Sequence, residues 1–172
     1  MITPLRLSAA AALVTAAVAA FLLLRPSDES RIRRLVEEMG PLASFDAGKG
    51  NLAFLGDVRR LVARFQPDAE LHFEEVGSVS LGNFPAAQIE SLAISARQAV
   101  GRLAVTIEPV EVFLDGGSAA RARFGVTART GPGRGDFQGQ GFEARLERRE
   151  GAWKITRLEA LPLLGRRPAT EP

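Results

Sequence analysis

The chain has 172 residues, 46% of them hydrophobic and 24% charged, with no cysteine, no tyrosine and one histidine, His72. That is enough for one domain with a real core plus appendages, and the missing cysteine excludes a disulfide framework, a thiolate zinc site and a cysteine nucleophile. Two of the 22 basic residues, Arg6 and Arg25, flank an apolar run, which leaves 20 basic against 20 acidic groups in 26–172; a neutral body with interspersed signs argues against nucleic acid as a partner, because that affinity comes from a positive surface.

Leu7 to Leu24 carries no charge. As a helix it would reach roughly 27 Å, close to the hydrocarbon thickness of a bilayer. Ala17-Val18-Ala19 has the small-x-small form of a signal cleavage site, but Phe21 to Leu24 continues the apolar run past it. The sequence therefore favours an uncleaved membrane anchor in residues 1–25 over a cleaved signal peptide. Arg25, Arg31, Arg33 and Arg34 follow the run and pull the body towards the cytoplasm by the positive-inside rule. A short tail before a signal-like segment commonly stays inside, and the expectation is an exported, periplasmic body.

The body is expected over 26–161. Ser27 or Asp28 caps a first helix whose apolar positions are Ile32, Leu35, Val36 and Met39, and Gly40-Pro41 is read as its stop. A polar loop from Ser44 leads to a second helix. Its apolar stripe is taken as Leu52, Leu55, Val58, Leu61, Val62 and Phe65, and Gln66-Pro67 as its end. Ala69 to Val76 alternates as a strand, with Leu71 and Phe73 on one face and Glu70, His72 and Glu74 on the other. Ser78 to Leu81 is a short partner strand. Pro85 opens a third helix with the stripe Ile89, Leu92, Ala93, Ala96 and Val100, closed by Gly101.

From residue 103 the chain reads as a four-strand meander over 103–114, 119–129, 137–149 and 152–161, separated by turn signals such as Asp115-Gly116-Gly117 and Glu150-Gly151. Pairing the strands on paper sets Phe124 against Phe142, Ala122 against Ala144 and Ala120 against Leu146. It also sets Arg123 against Glu143, Leu146 against Ile155, Glu147 against Lys154, Val112 against Ala122 and Glu111 against Arg123. Apolar meets apolar and acid meets base on consistent faces, as a registered sheet requires. At Pro109 the apolar phase moves from odd to even positions, the signature of a bulge. The fold class is α+β: three helices on the apolar face of a curved antiparallel sheet, with charge pairs on the other face and a loose tail in 162–172.

Helix, helix, strand, helix and a bent meander closing on Glu150-Gly151-Ala152-Trp153-Lys154-Ile155 resembles the nuclear-transport-factor-2-like superfamily, which includes the SnoaL-like polyketide cyclases and the ketosteroid isomerases. The resemblance covers about 28–161. It implies a cone-shaped α+β roll enclosing a pocket between sheet and helices. The isomerase branch uses an aspartate base with a tyrosine and a protonated aspartic acid, and this chain has no tyrosine.

The remaining candidates are few. His72 titrates near neutrality when unperturbed, but between Glu70 and Glu74 its plainer reading is a surface histidine among acids. Asp46, Asp57 and Glu74 are the weak carboxylate candidates for catalysis. Counting alternation from Trp153 and Ile155 puts Arg148 and Arg157 on the apolar face, where with Trp153 they could grip a ligand carboxylate. The plainer readings are Arg148 stacking on Trp153 and a bulge turning Arg157 outward. No metal site and no cofactor motif is read. The expected function is a non-catalytic, membrane-tethered domain that binds a small apolar or carboxylate ligand, a partner protein or a second copy. The alternative is an isomerase- or cyclase-type enzyme using an acid or His72 in the pocket.

Overall fold

The computed structural model describes residues 26–73, 82–130 and 137–162. The apolar run 7–24, Glu74, the expected strand Ser78–Leu81, the turn at Gly131-Pro132-Gly133 and the tail beyond 162 lie outside the described residues. Among the described residues no helix is long and apolar enough to cross a membrane.

The first helix, α1 (Asp28–Glu37), starts where the Ser27 hydroxyl accepts a hydrogen bond from the Ser30 amide at 3.2 Å, filling one of the donors a helix start leaves unpaired. Asp28 and Glu29 occupy the positive end of its dipole. Gly40-Pro41 does not end helical structure. A second short helix, α2 (Met39–Ala43), runs through it, and Pro41 is tolerated because a first-turn residue has no intrahelical bond to lose. Gly40 is needed for contact: a Cβ there would sit 3.1 Å from the Val105 carbonyl oxygen.

Helix α3 (Asn51–Val62) buries Phe54, Asp57 and Val58. Of the stripe read from the sequence, Val58 is buried and Leu55, Leu61 and Val62 pack against the core, but Leu52 is 87% exposed and Phe54 is buried in its stead. Phe65, Gln66 and Pro67 do not belong to this helix. They open the first strand, β1 (Phe65–Phe73), which pairs with β2 (Gly82–Pro85). Pro85 ends that strand, a single 3₁₀ turn (Ala86–Gln88) follows, and α4 (Ile89–Val100) begins after that turn and not at Pro85. Gly101 closes it with φ of 68°.

The meander consists of β3 (Leu103–Leu114), β4 (Ala119–Thr130), β5 (Phe137–Arg149) and β6 (Ala152–Ala160). Each pair set out from the sequence is found: Phe124↔Phe142, Ala122↔Ala144, Ala120↔Leu146, Arg123↔Glu143, Leu146↔Ile155, Glu147↔Lys154, Val112↔Ala122 and Glu111↔Arg123. The register slips between Ile107 and Val110, where Glu108 and Pro109 stand opposite Gly125 alone. A Cβ on Gly125 would lie 2.6 Å from the Glu108 carbonyl oxygen, so the bulge needs a glycine beneath it.

The whole sheet has six strands in the order β2-β1-β6-β5-β4-β3, and only β1 and β6 run parallel. Ile32, Val36, Ala122, Ala144, Leu146 and Ile155 are at most 1% exposed and form the centre of the core. The alanines matter, because small side chains on β4 and β5 let the large side chains of α1 settle on the sheet. A second cluster, Phe45, Phe54 and Val58, lies beneath α3.

Candidate functional site

The two core clusters leave a space between them. A cavity of about 260 Å³ lies between the helices and one end of the sheet. Leu42 and Phe45 wall it from the segment around α2, Phe54, Val58 and Leu61 from α3, Leu71, Phe73 and Phe84 from β1 and β2, Ile89, Leu92, Ala93 and Ala96 from α4, and Leu103 from the start of β3. Its aromatic floor follows from sheet register. Phe73 and Phe142 meet edge to face at 5.6 Å, although β6 runs between their strands. The residue between them is Ala160, which pairs with Phe142, and its methyl leaves room for both rings. Phe84 packs on Phe73 at 5.2 Å, and Phe142 stacks on Phe124 at 6.0 Å.

None of the described lining residues is ionisable. The charged groups nearby act from outside. The Asp57 carboxylate accepts hydrogen bonds from Lys49 and Arg60, and Lys49, with Arg60, holds its carboxyl below the ordinary carboxylate value. This clamp ties the loop before α3 to the helix. The Arg97 guanidinium lies 4.5 Å above the Phe54 ring and donates to the Lys49 carbonyl, so it covers the outer side of an aromatic wall.

The structure disperses the residues singled out from the sequence. His72 is on the solvent face of β1, with Nε2 3.1 Å from a Glu70 carboxylate oxygen. Asp46 accepts from the Lys49 amide at 2.9 Å and shapes the turn before α3. Glu74 lies outside the described residues. Trp153 Nε1 donates to Asp28 Oδ1 at 3.2 Å, and Arg148 Nη1 donates to Asp28 Oδ2 at 3.0 Å while its guanidinium sits 5.7 Å from the Trp153 ring. Those two side chains anchor the start of α1.

The placement of Arg157 on the apolar face is corrected. Ile155 pairs with Leu146 and Arg157 with Arg145, so Thr156 is an extra residue that turns Arg157 to the solvent face beside Glu159 at 3.4 Å. Strict alternation cannot reveal such a bulge.

None of the described candidates lines the cavity. The aromatics that do, Phe45, Phe54 and Phe84, were passed over. The i, i+4, i+7 series Phe54, Val58, Leu61 was the available signal, masked by the competing leucines Leu52 and Leu55. Among the described residues no group of three or more histidine or carboxylate side chains has the geometry of a metal site.

No family model and no curated protein matches the sequence. Solved structures do match. A nuclear-transport-factor-2-like protein with a cystatin-like fold from Novosphingobium aromaticivorans is 24% identical, covers 96% of this chain and 93% of its own, and superposes with a TM-score of 0.59. The Kfla4162 protein from Kribbella flavida is 16% identical over 77% of this chain and 88% of its own, with a TM-score of 0.59. A hexachlorocyclohexane dehydrochlorinase, LinA type 2, is 14% identical over 76% of this chain and 82% of its own, with a TM-score of 0.57. Element order, the closing Trp153 strand and these superpositions agree that the chain has the nuclear-transport-factor-2-like fold.

Proposed function

We propose that this chain is a non-catalytic binding domain that takes up a small apolar molecule in its cone cavity and is held at a membrane by residues 7–24. The observation that carries the first part is the lining: among the described residues its walls are aliphatic and aromatic side chains with no ionisable group. An acid, base or nucleophile must reach the substrate to within hydrogen-bond distance, and His72, Asp46 and Asp57 all point elsewhere. A cavity of about 260 Å³ exceeds the roughly 150 Å³ apolar void that accepts benzene and falls just short of the roughly 300 Å³ at which drug-sized pockets begin. It fits a molecule of one or two rings. The uncharged run 7–24 is long enough to span the hydrocarbon layer, which supports the tether.

Naphthalene added to the full chain in lipid nanodiscs tests the cavity. Methyl NMR signals of Ala93, Ala96 and Leu103 are expected to shift saturably while those of Ala144, in the filled core, stay in place. Ala96→Phe is expected to remove the shifts. Uniform or absent shifts in the parent chain would refute the proposed site.

A further inference from the structure

We propose that the end of the domain formed by the β3–β4 turn lies on the bilayer surface, so that the cavity points away from the membrane. This rests on the tether reading above, and the geometry of the first helix turns that reading into an orientation.

Asp28 is the first residue of α1, and the chain is fixed there. Arg148 binds its carboxylate at 3.0 Å, Trp153 at 3.2 Å, and Arg148 Nη2 also donates to the Gly117 carbonyl in the β3–β4 turn at 2.6 Å. The helix start, the turn after β3 and the β5–β6 end are therefore one locked corner. From Leu24 to Asp28 is four residue steps, which span at most about 14 Å. The headgroup layer is roughly 5–8 Å thick on each side of the hydrocarbon. With 7–24 in the bilayer, this corner cannot rise far above the headgroups.

The same corner carries exposed apolar side chains. Leu114 is 52% exposed and Phe113 40% exposed, next to a turn of small residues. Leu114 extends past the helices on the inner face of β3, and Phe113 lies on the outer face opposite Arg121. The Arg121 guanidinium is 5.7 Å from the Phe113 ring. An aromatic ring suits the boundary between acyl chains and headgroups; the Arg121 guanidinium beside it is held by the Asp115 carboxylate at 2.7 and 3.0 Å, so the pair meets the headgroup layer without net charge.

β3 then gives the direction. It runs 12 residues from Leu103, in the cavity wall, to Leu114, a distance of roughly 35 Å. The remaining exposed large apolar residues, Leu52, Leu92 and Ile94, are on α3 and α4, the helices that wall the cavity. The cavity therefore lies at the end of β3 remote from the proposed membrane surface.

The absence of cysteine makes the test clean. Leu114→Cys and Ser118→Cys at the turn, and Leu92→Cys at the cavity, each carry an environment-sensitive nitrobenzoxadiazole label on the full chain in phosphatidylcholine/phosphatidylglycerol vesicles. Shallow nitroxide lipids are expected to quench the Leu114 and Ser118 labels several-fold more than the Leu92 label. Equal quenching at both ends, in a chain that floats with the vesicles, overturns the orientation and leaves the tether standing. Failure to float overturns both. A Leu114 label shielded only at high protein concentration, and not quenched by lipid, assigns the corner to a second copy and also overturns the proposal. Ser118→Cys keeps the test decisive if the Leu114 variant does not fold.

Discussion

The meander and the helical cover are built from similar residues but packed to different standards. On β4, β5 and β6 the inward side chains Ala122, Ala144, Leu146 and Ile155 are at most 1% exposed. On α4 only Ile89 is buried, while Leu92 is 40% and Ile94 37% exposed. The sheet and α1 close on each other without space. Helices α3 and α4 lie over the aromatic floor and leave a void. Tight and loose packing are thus separated in the molecule: one region holds the shape, and the other leaves space between its side chains.

Substitutions can break or sharpen that contrast. Leu146→Ala removes a side chain that is 1% exposed and is expected to cost about 3–4 kcal/mol in urea denaturation, because a filled core cannot collapse onto the gap. Gly125→Ala forces the Glu108 carbonyl away from a Cβ that would sit 2.6 Å from it. It is expected to cost about 2–3 kcal/mol and to perturb amide signals of Glu108 to Val110 first.

Asp57→Asn removes the charge that Lys49 and Arg60 share and is expected to cost about 1–2 kcal/mol, a modest figure because Arg60 is largely exposed. Its pH signature has a definite sign. The folded carboxyl titrates below its ordinary value of 3.8. The native state therefore holds this proton less tightly than the unfolded chain, and the stabilisation is complete above that value and fades as pH falls through the lowered one. The variant is expected to lose this part of the acid dependence, measured by denaturation between pH 5 and 2. Last, Leu92→Ala is expected to cost under about 1 kcal/mol, since its side chain is already 40% exposed. If Leu92→Ala proved as costly as Leu146→Ala, the contrast between filled sheet and open cover would be wrong.

The same contrast governs what could be read from the sequence. The meander was legible because register in a sheet with one greasy face is over-determined. Phe124, Ala122 and Ala120 each had an apolar partner at one offset and Arg123 a charged partner at that same offset, while Glu111 and Val112 met Arg123 and Ala122 at the single offset of the preceding hairpin. Even the slip at Pro109 announced itself as a change of phase.

The cover was less legible because its packing constrains the side chains less. A helix that walls a void can expose Leu52 and bury Phe54, and both satisfy a loose stripe. Phe65 to Pro67 looked like the end of a helix because a strand opening with Gln66-Pro67 gives no alternation, and Pro67 cannot donate to a ladder. Arg157 misled through a single inserted residue, Thr156, whose presence depends on the partner strand. The cavity itself had no sequence mark. It arises where Ala43, Ala93 and Ala96 are too small to fill space that larger neighbours hold open.

The parallel pairing of β1 with β6 sets the order in which the chain can assemble during synthesis. Phe65 aligns with Ile155 and Leu71 with Leu158, so the β1–β2 pair has no neighbour to join until β6 has left the ribosome. The strand that arrives last is also the one that lies between β1 and β5. Until then the nascent chain holds an unmated edge on each side of the missing strand, and its collapse must wait for a contact about ninety residues away, the kind of long-range closure that slows folding. A chain halted before Trp153 would carry the β1–β2 pair and the β3–β5 meander without the strand that joins them.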